Sequence, residues 1–157
     1  MKRPTFEDYP RIFELLKRAF APSTFESDLV RNLKDKGKIS FDLIIEEGSQ
    51  VLAYICYSTA YGTRRTRIGY HLAPVAVLPE RQGEGLGRRI IIESLIALGN
   101  NLPVYVLGDP NYYATFGFKM DKTQKCIFDP SGEHFMVINA GGRLPARDVG
   151  YEDEFMG

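Results

Sequence analysis

Ile12, Leu15, Leu16, Ala19 and Phe20 recur every three or four positions, the spacing of one helix face. Thr5-Phe6-Glu7-Asp8 precedes them as an N-cap followed by acidic first-turn residues, so the pattern predicts a first helix. Pro22-Ser23 ends it, and Leu29, Val30 and Leu33, in a charged stretch closing at Lys36-Gly37, predict a second. The period then changes. Residues 39–46 and 50–60 are rich in β-branched and aromatic side chains and are separated by Glu47-Gly48-Ser49, which predicts a hairpin. A turn over 61–67 leads into a third strand over 68–78. Helical spacing returns with Leu86, Ile90, Ile91, Leu95 and Leu98, and Gly99-Asn100-Asn101 tolerates a left-handed C-cap. Residues 103–107 form a short apolar run, and parallel pairing with 72–78 across the helix makes a right-handed crossover.

The junction between the third strand and this helix holds Gly83, Gly85 and Gly87 just after Pro79, where a proline cannot donate to a ladder. A glycine-rich turn that opens a helix leaves backbone N–H groups without intrahelical acceptors, at the positive end of the helix dipole. Such a turn suits a phosphate or pyrophosphate, with Arg88 and Arg89 available for charge-assisted contacts. No Gly-Lys-Ser/Thr follows, which argues against a nucleoside-triphosphate loop. Two other readings stand beside anion binding. One is a tight turn in which glycine only permits close packing; the other is a Rossmann dinucleotide site with Asp109 as its acidic residue, although the mid-chain position suits that poorly.

Composition narrows the class. A chain of 157 residues is expected to form one domain, 1–157, and its 20 Lys+Arg balance 20 Asp+Glu, so no global field points to nucleic acid or an acidic membrane. Cys56 and Cys126 have neither metal nor disulfide-scaffold spacing, and no metal is expected. The absence of a signal-like or membrane-spanning apolar run makes a cytoplasmic protein the simpler expectation.

The pattern Gln82-x-x-Gly85-x-Gly87, preceded by Val-Leu-Pro-Glu, resembles the acyl-coenzyme A loop of the GNAT family of N-acetyltransferases. The stretch Leu-Gly-Asp-Pro-x-Tyr-Tyr-x-x-Phe-Gly-Phe, residues 107–118, is similar to the YhbS-like branch of that family, as is a strand over Phe135–Ile138 followed by a Gly/Leu region reaching Tyr151 and Phe155. The resemblance implies an α/β fold with a mixed, mostly antiparallel central sheet, one parallel splayed strand pair and helices on both faces. Acetyl-CoA is the implied cosubstrate. Backbone contacts fall on Gln82, Gly83, Glu84, Gly85, Leu86, Gly87 and Arg88; pantetheine lies along Ala76 and Val77, with Val77 N–H polarising the thioester carbonyl.

The resemblance also implies a short helix ending in Tyr-x-x-x-Gly-Phe, matched by Tyr113, Gly117 and Phe118, and makes Tyr113 the general acid for the leaving thiolate. A phenol with pKa about 10 stays protonated at neutral pH and suits a thiol near 8.5. The alternative role for Tyr113 is aromatic packing beside Phe116 and Phe118. Many family members carry an asparagine a helical turn or more before the tyrosine, contacting the cofactor; here Asn111 lies two residues ahead and is not assigned that role. His71 is a candidate base from its intrinsic pKa, with Glu46, Glu47 or a water relay as alternatives. Cys56 lacks a basic partner in sequence and is a weak candidate nucleophile. The expected activity is transfer of acetyl to a primary amine, small-molecule or peptide, by a monomer or homodimer; the alternative is a non-catalytic acyl-CoA-binding or sensing module. Acceptor choice is expected from the first two helices, the connection 20–26 and residues 151–155.

Overall fold

Thr5 N–H and Oγ1 both donate to Asp8 Oδ2, at 2.7 and 3.0 Å, and Asp8 N–H donates back to Thr5 O at 3.0 Å, opening a 3-10 turn over Phe6–Asp8. Helix α1 (Tyr9–Ala19) follows and buries Ile12, Phe13, Leu15 and Leu16; α2 (Phe25–Asp35) buries Leu29, Val30 and Leu33. The two helical stripes are those of the hydrophobic pattern. The structure, a computed structural model, describes residues 1–139 and 141–157. It divides into two units, the first Met1–Tyr57, Ala73–Leu98 and Asp153–Gly157, the second Ser58–Leu72 and Gly99–Glu152.

In the first unit, strands β1 (Phe41–Glu47) and β2 (Gln50–Tyr61) pair antiparallel, with Leu43 opposite Ile55 and a register shift after Ile45. Gly48, at φ 60°, makes the connection. The few residues ahead of α1 leave room for one bridge, Lys2 to Ile44. β3 (Arg67–Val77) runs from the second unit into the first, where Leu78 N–H donates to Leu52 O at 2.8 Å. α3 (Leu86–Leu98) buries Ile90, Ile91 and Ser94, while Leu95 and Leu98 are half-buried and Ile96 is exposed. A buried Tyr57–Ser94 hydroxyl pair at 2.6 Å takes the place of an all-apolar contact on this helix.

The C-terminal turn Asp153–Met156 is tied down by Glu154, whose buried carboxylate accepts from Lys36 Nζ at 2.8 Å and Lys38 Nζ at 2.9 Å. Those hydrogen bonds hold its pKa down to about 2. A depressed carboxylate pKa contributes stability that is present above the unfolded value of about 4.3 and is lost as pH falls toward 2. Glu154→Gln is therefore expected to flatten the acid limb of a Tm-against-pH profile between about pH 4.5 and 2.

In the second unit the strand order is β3-β4-β6, with β4 spanning Val104–Leu107 and β6 Phe135–Ile138. Tyr70 and His71 pair parallel with Val104 and Tyr105, so the parallel partner is the one expected from sequence but the pairing falls just ahead of the expected 72–78, where Pro74 has no N–H with which to extend it. β4 and β6 pair antiparallel from Val104–Ile138 to Leu107–Phe135. A second, parallel ladder joins β5 (Gln124–Cys126) to β7 (Arg147–Val149). These three-residue strands carry little apolar pattern, and a polar network secures them. Tyr105 Oη donates to Gln124 Oε1 at 2.7 Å, and Arg147 donates to both, at 3.1 Å to Gln124 and 2.9 Å to Tyr105. The sheet is thus mixed and mostly antiparallel, with helices around it. Among the described residues no helix is long and apolar enough to cross a membrane.

Candidate active site

The first unit carries the glycine turn. Along β3, Ala76 is buried and Val75 and Val77 are half-buried, and buried Leu78 closes the strand. Pro79–Arg81 forms one 3-10 turn, Gln82 is extended, and α3 begins at Leu86. Gly83 and Gly85 lie in the left-handed region at φ 85° and 83°. A Cβ on either glycine would meet nothing within 4 Å, so close packing is not what glycine serves there. The backbone conformation requires it, and the space above the turn is open. Backbone that alternates in and out of the left-handed region turns successive amides to one side, next to the unpaired first-turn amides of a 13-residue helix.

The charged side chains around this turn pair with one another. Glu84 accepts from Arg81 Nε at 2.9 Å, and Arg81 also reaches Glu47 at 3.4 Å. Gln82 Nε2 donates to Val77 O at 3.1 Å, which links the turn to the end of β3. Leu86 and Gly87 are half-buried, and Arg88 is exposed.

The second unit carries Tyr113. Gly108 follows β4 and donates its N–H to His134 O at 3.1 Å. Asp109 then caps α4 (Pro110–Ala114) by accepting from Asn111 N–H at 3.0 Å, with Pro110 at the first helical position. Tyr113 is 8% exposed and makes edge contacts with Tyr112 and Phe118, ring centroids 5.2 and 5.6 Å away. Its ring lies against Gly108, where a Cβ would fall among the ring atoms. Burial pushes its hydroxyl up to about 12, so it is protonated at neutral pH. Among the described residues that hydroxyl has no hydrogen-bond partner.

Of the candidate bases and nucleophile, His71 and Cys56 are buried, Glu46 is half-buried and Glu47 is exposed. His71 is 3% exposed and stacks on Tyr151, centroids 3.3 Å apart and planes 1° from parallel. Burial lowers its pKa to about 3, which keeps the imidazole neutral. Glu46 pairs with Arg11 at 2.8 Å and Lys2 at 3.3 Å, and the Arg11 hydrogen bond holds its proton affinity down. The Cys56 thiol is fully buried in β2, and burial raises its pKa far above the range of a reactive thiolate.

The model of the acetyltransferase (GNAT) family matches residues 9–118. The chain belongs to the GNAT family. The curated Escherichia coli K12 protein YhbS, described as an uncharacterized N-acetyltransferase, is 33% identical over 116 residues, covering 72% of this chain and 69% of YhbS. A GNAT acetyltransferase from Brucella melitensis, solved in complex with acetyl-CoA, is 32% identical with a TM-score of 0.83, over 98% of this chain and 96% of that one. The structure of Escherichia coli YhbS with CoA is 27% identical with a TM-score of 0.86, over 99% and 91%. The GNAT model match contains His71, the glycine turn and Tyr113 and stops before β5 and β7, whereas the two structural likenesses extend over nearly the whole chain. Two features of this GNAT chain carry roles that sequence reading does not assign. Gly108 belongs to the 107–118 motif, but its close approach to the Tyr113 ring emerges only in the fold. The Gln82–Val77 bond depends on the turn folding back on the strand.

Proposed function

We propose that residues 1–157 act as one acetyl-CoA-dependent N-acetyltransferase that acetylates a primary amine in a ternary complex. The observation that carries this reading is the open turn at Gly83 and Gly85, whose left-handed glycines leave space where a side chain would stand. Acetyl-CoA fits there by its pyrophosphate, with the backbone of Gln82, Gly83, Glu84, Gly85, Leu86, Gly87 and Arg88 as the cradle. Ala76 and Val77 offer main-chain groups to the pantetheine arm. The Val77 carbonyl already accepts from Gln82, so Val77 contributes its N–H, which suits a carbonyl oxygen that gains charge.

When bound, acetyl-CoA supplies an activated acyl carbon and a thiolate leaving group. The residues of this chain supply position and a proton. Tyr113, protonated because burial raises its pKa, donates its hydroxyl hydrogen to the departing sulfur and recovers a proton from solvent. The amine nitrogen sheds its own proton to water. We assign that step to water rather than to His71, because a buried imidazole with a pKa near 3 accepts protons poorly at neutral pH. Orientation of the two substrates accounts for most of the acceleration in this scheme.

The test is release of free thiol from acetyl-CoA by the purified protein against a panel of small-molecule and peptide amines. Amine-dependent release is expected; CoA binding with no release under any amine would favour a non-catalytic acyl-CoA-binding module. Gly85→Ala places a Cβ on a left-handed residue at a cost of roughly 1–2 kcal/mol, and it fills the open space above the turn. The expected result is a CoA dissociation constant raised about tenfold or more, read by calorimetric titration of a folded variant.

A further inference from the structure

The second unit holds a cavity of about 870 Å³, within the size range of small-molecule pockets, and none of its lining residues is among those assigned above to acetyl-CoA or to proton transfer. Its floor is apolar. Cys126 stands opposite Val149 in the β5–β7 ladder, and these two and Phe135 are all buried. Phe135 is held in turn by the Tyr105 ring, centroids 5.4 Å apart and planes 7° from parallel. Met120 and Ile127 line the same cavity yet are 43% and 70% exposed. Apolar side chains left in water around a concavity mark a surface that receives an apolar partner.

The charges of the lining are unevenly committed. Lys125 stands opposite Asp148 in the ladder, both exposed, and Lys122 is exposed as well, free to keep its ammonium in water. Asp121 turns its Oδ1 to the Thr123 N–H and hydroxyl, at 3.0 and 2.6 Å. Asp129 differs from these. Its side chain is 9% exposed, and its Oδ2 accepts from the main-chain N–H groups of His134 and Phe135 at 2.8 and 2.9 Å. Its Oδ1 has only long contacts among the described residues, Ser131 Oγ at 3.4 Å and His134 Nδ1 at 3.7 Å. Burial pushes the Asp129 pKa up, but the two main-chain N–H groups outweigh it and hold the carboxyl below its ordinary range, so the group is ionised at neutral pH. An ionised carboxylate offers about four lone-pair sites, and a buried oxygen short of donors carries a desolvation cost that an incoming donor relieves.

We infer that this cavity binds an organic amine with an apolar body, the ammonium donating to Asp129 Oδ1 and the body covering the floor of Cys126, Phe135 and Val149. The charge-assisted hydrogen bond orients such a ligand, and burial of its apolar part supplies most of the affinity. Binding there requires neither acetyl-CoA nor Tyr113.

The test is titration of the native protein, without acetyl-CoA, by three probes of one shape: phenethylamine, phenethyl alcohol and hydrocinnamate. The main-chain amide signals of His134, Phe135 and Val149 in nitrogen–proton NMR spectra report the site. Saturable shifts of these signals by phenethylamine are expected, with a dissociation constant at least about tenfold below that of the alcohol and with hydrocinnamate the weakest of the three. Asp129→Asn keeps a carbonyl oxygen for the His134 and Phe135 N–H groups and sets an NH₂ donor against the ammonium. In the folded variant the phenethylamine dissociation constant is expected to rise about tenfold, toward that of the alcohol. Shifts that do not saturate, or equal affinity of the native protein for amine and alcohol, would overturn the site as an amine site. An unchanged phenethylamine dissociation constant in folded Asp129→Asn would overturn the assignment of the ammonium to Asp129. Should that variant fail to fold, the comparison of the three probes on the native protein decides.

Discussion

Tyr113→Phe is expected to lower kcat by roughly 10²–10³-fold, within the range of general acid assistance, while the KM for acetyl-CoA stays nearly constant. The substitution removes one oxygen and keeps the ring that packs on Phe118 and Tyr112. Because the hydroxyl has no partner among the described residues, its loss leaves no orphaned donor or acceptor, and Tm should hardly move. A loss of turnover without a loss of stability or CoA affinity therefore isolates the proton donor. Steady-state thiol release over a range of acetyl-CoA concentrations, beside a thermal melt, measures all three quantities. Unchanged turnover would leave Tyr113 as a packing residue only.

Gly108→Ala is expected to act on the same atom from outside the reacting groups. An alanine Cβ at this position meets the Tyr113 ring, so either the ring or the end of β4 must shift. Overpacking of this kind costs about 1–3 kcal/mol, and for a chain of this size each kcal/mol lowers Tm by about 2–4 °C. A displaced donor is also a poor one, since a misplacement near 1 Å can cost about 10²-fold in rate. The double variant Gly108→Ala/Tyr113→Phe then becomes informative. If Gly108 matters to turnover through the Tyr113 hydroxyl, the double variant has nearly the kcat of Tyr113→Phe alone, although its stability loss persists. Additive losses in kcat would mean that Gly108 shapes the site by another route.

The elements that position the glycine turn are legible in the chain because their physics is local. The stripe of α1, the hairpin around Gly48 and the change from strand to helix after Leu78 each follow from spacing and turn chemistry, and the structure has them within a few residues. The left-handed conformations of Gly83 and Gly85 are legible for the same reason, because few other residues adopt them freely. What sequence reading misses is set by partners far along the chain. His71 is considered as a base by its intrinsic pKa, and the Tyr151 stack and the burial that lowers that pKa to about 3 come from partners that sequence spacing does not show. Glu46 looks like a solvated hairpin residue, yet Arg11 and Lys2 both pair with it. β5 and β7 lack an apolar alternation to announce them, because the Tyr105–Gln124–Arg147 network holds their ends. Ile92 and Ile96 carry the reverse lesson, since α3 is apolar on more of its surface than its buried face requires.

Thermal unfolding of the purified protein with acetyl-CoA, CoA and NAD in parallel tests whether the Gly83–Gly85 turn binds acetyl-CoA. A ligand that binds the native state and is present at 100 times its dissociation constant adds about 2.7 kcal/mol, which is about 5–11 °C in Tm for a chain of this size. Stabilisation by acetyl-CoA and CoA but not by NAD, abolished or much reduced in Gly85→Ala, is the expected result. Stabilisation by NAD alone, or by none of the three, would contradict acetyl-CoA binding at the Gly83–Gly85 turn and the acetyl transfer built on it.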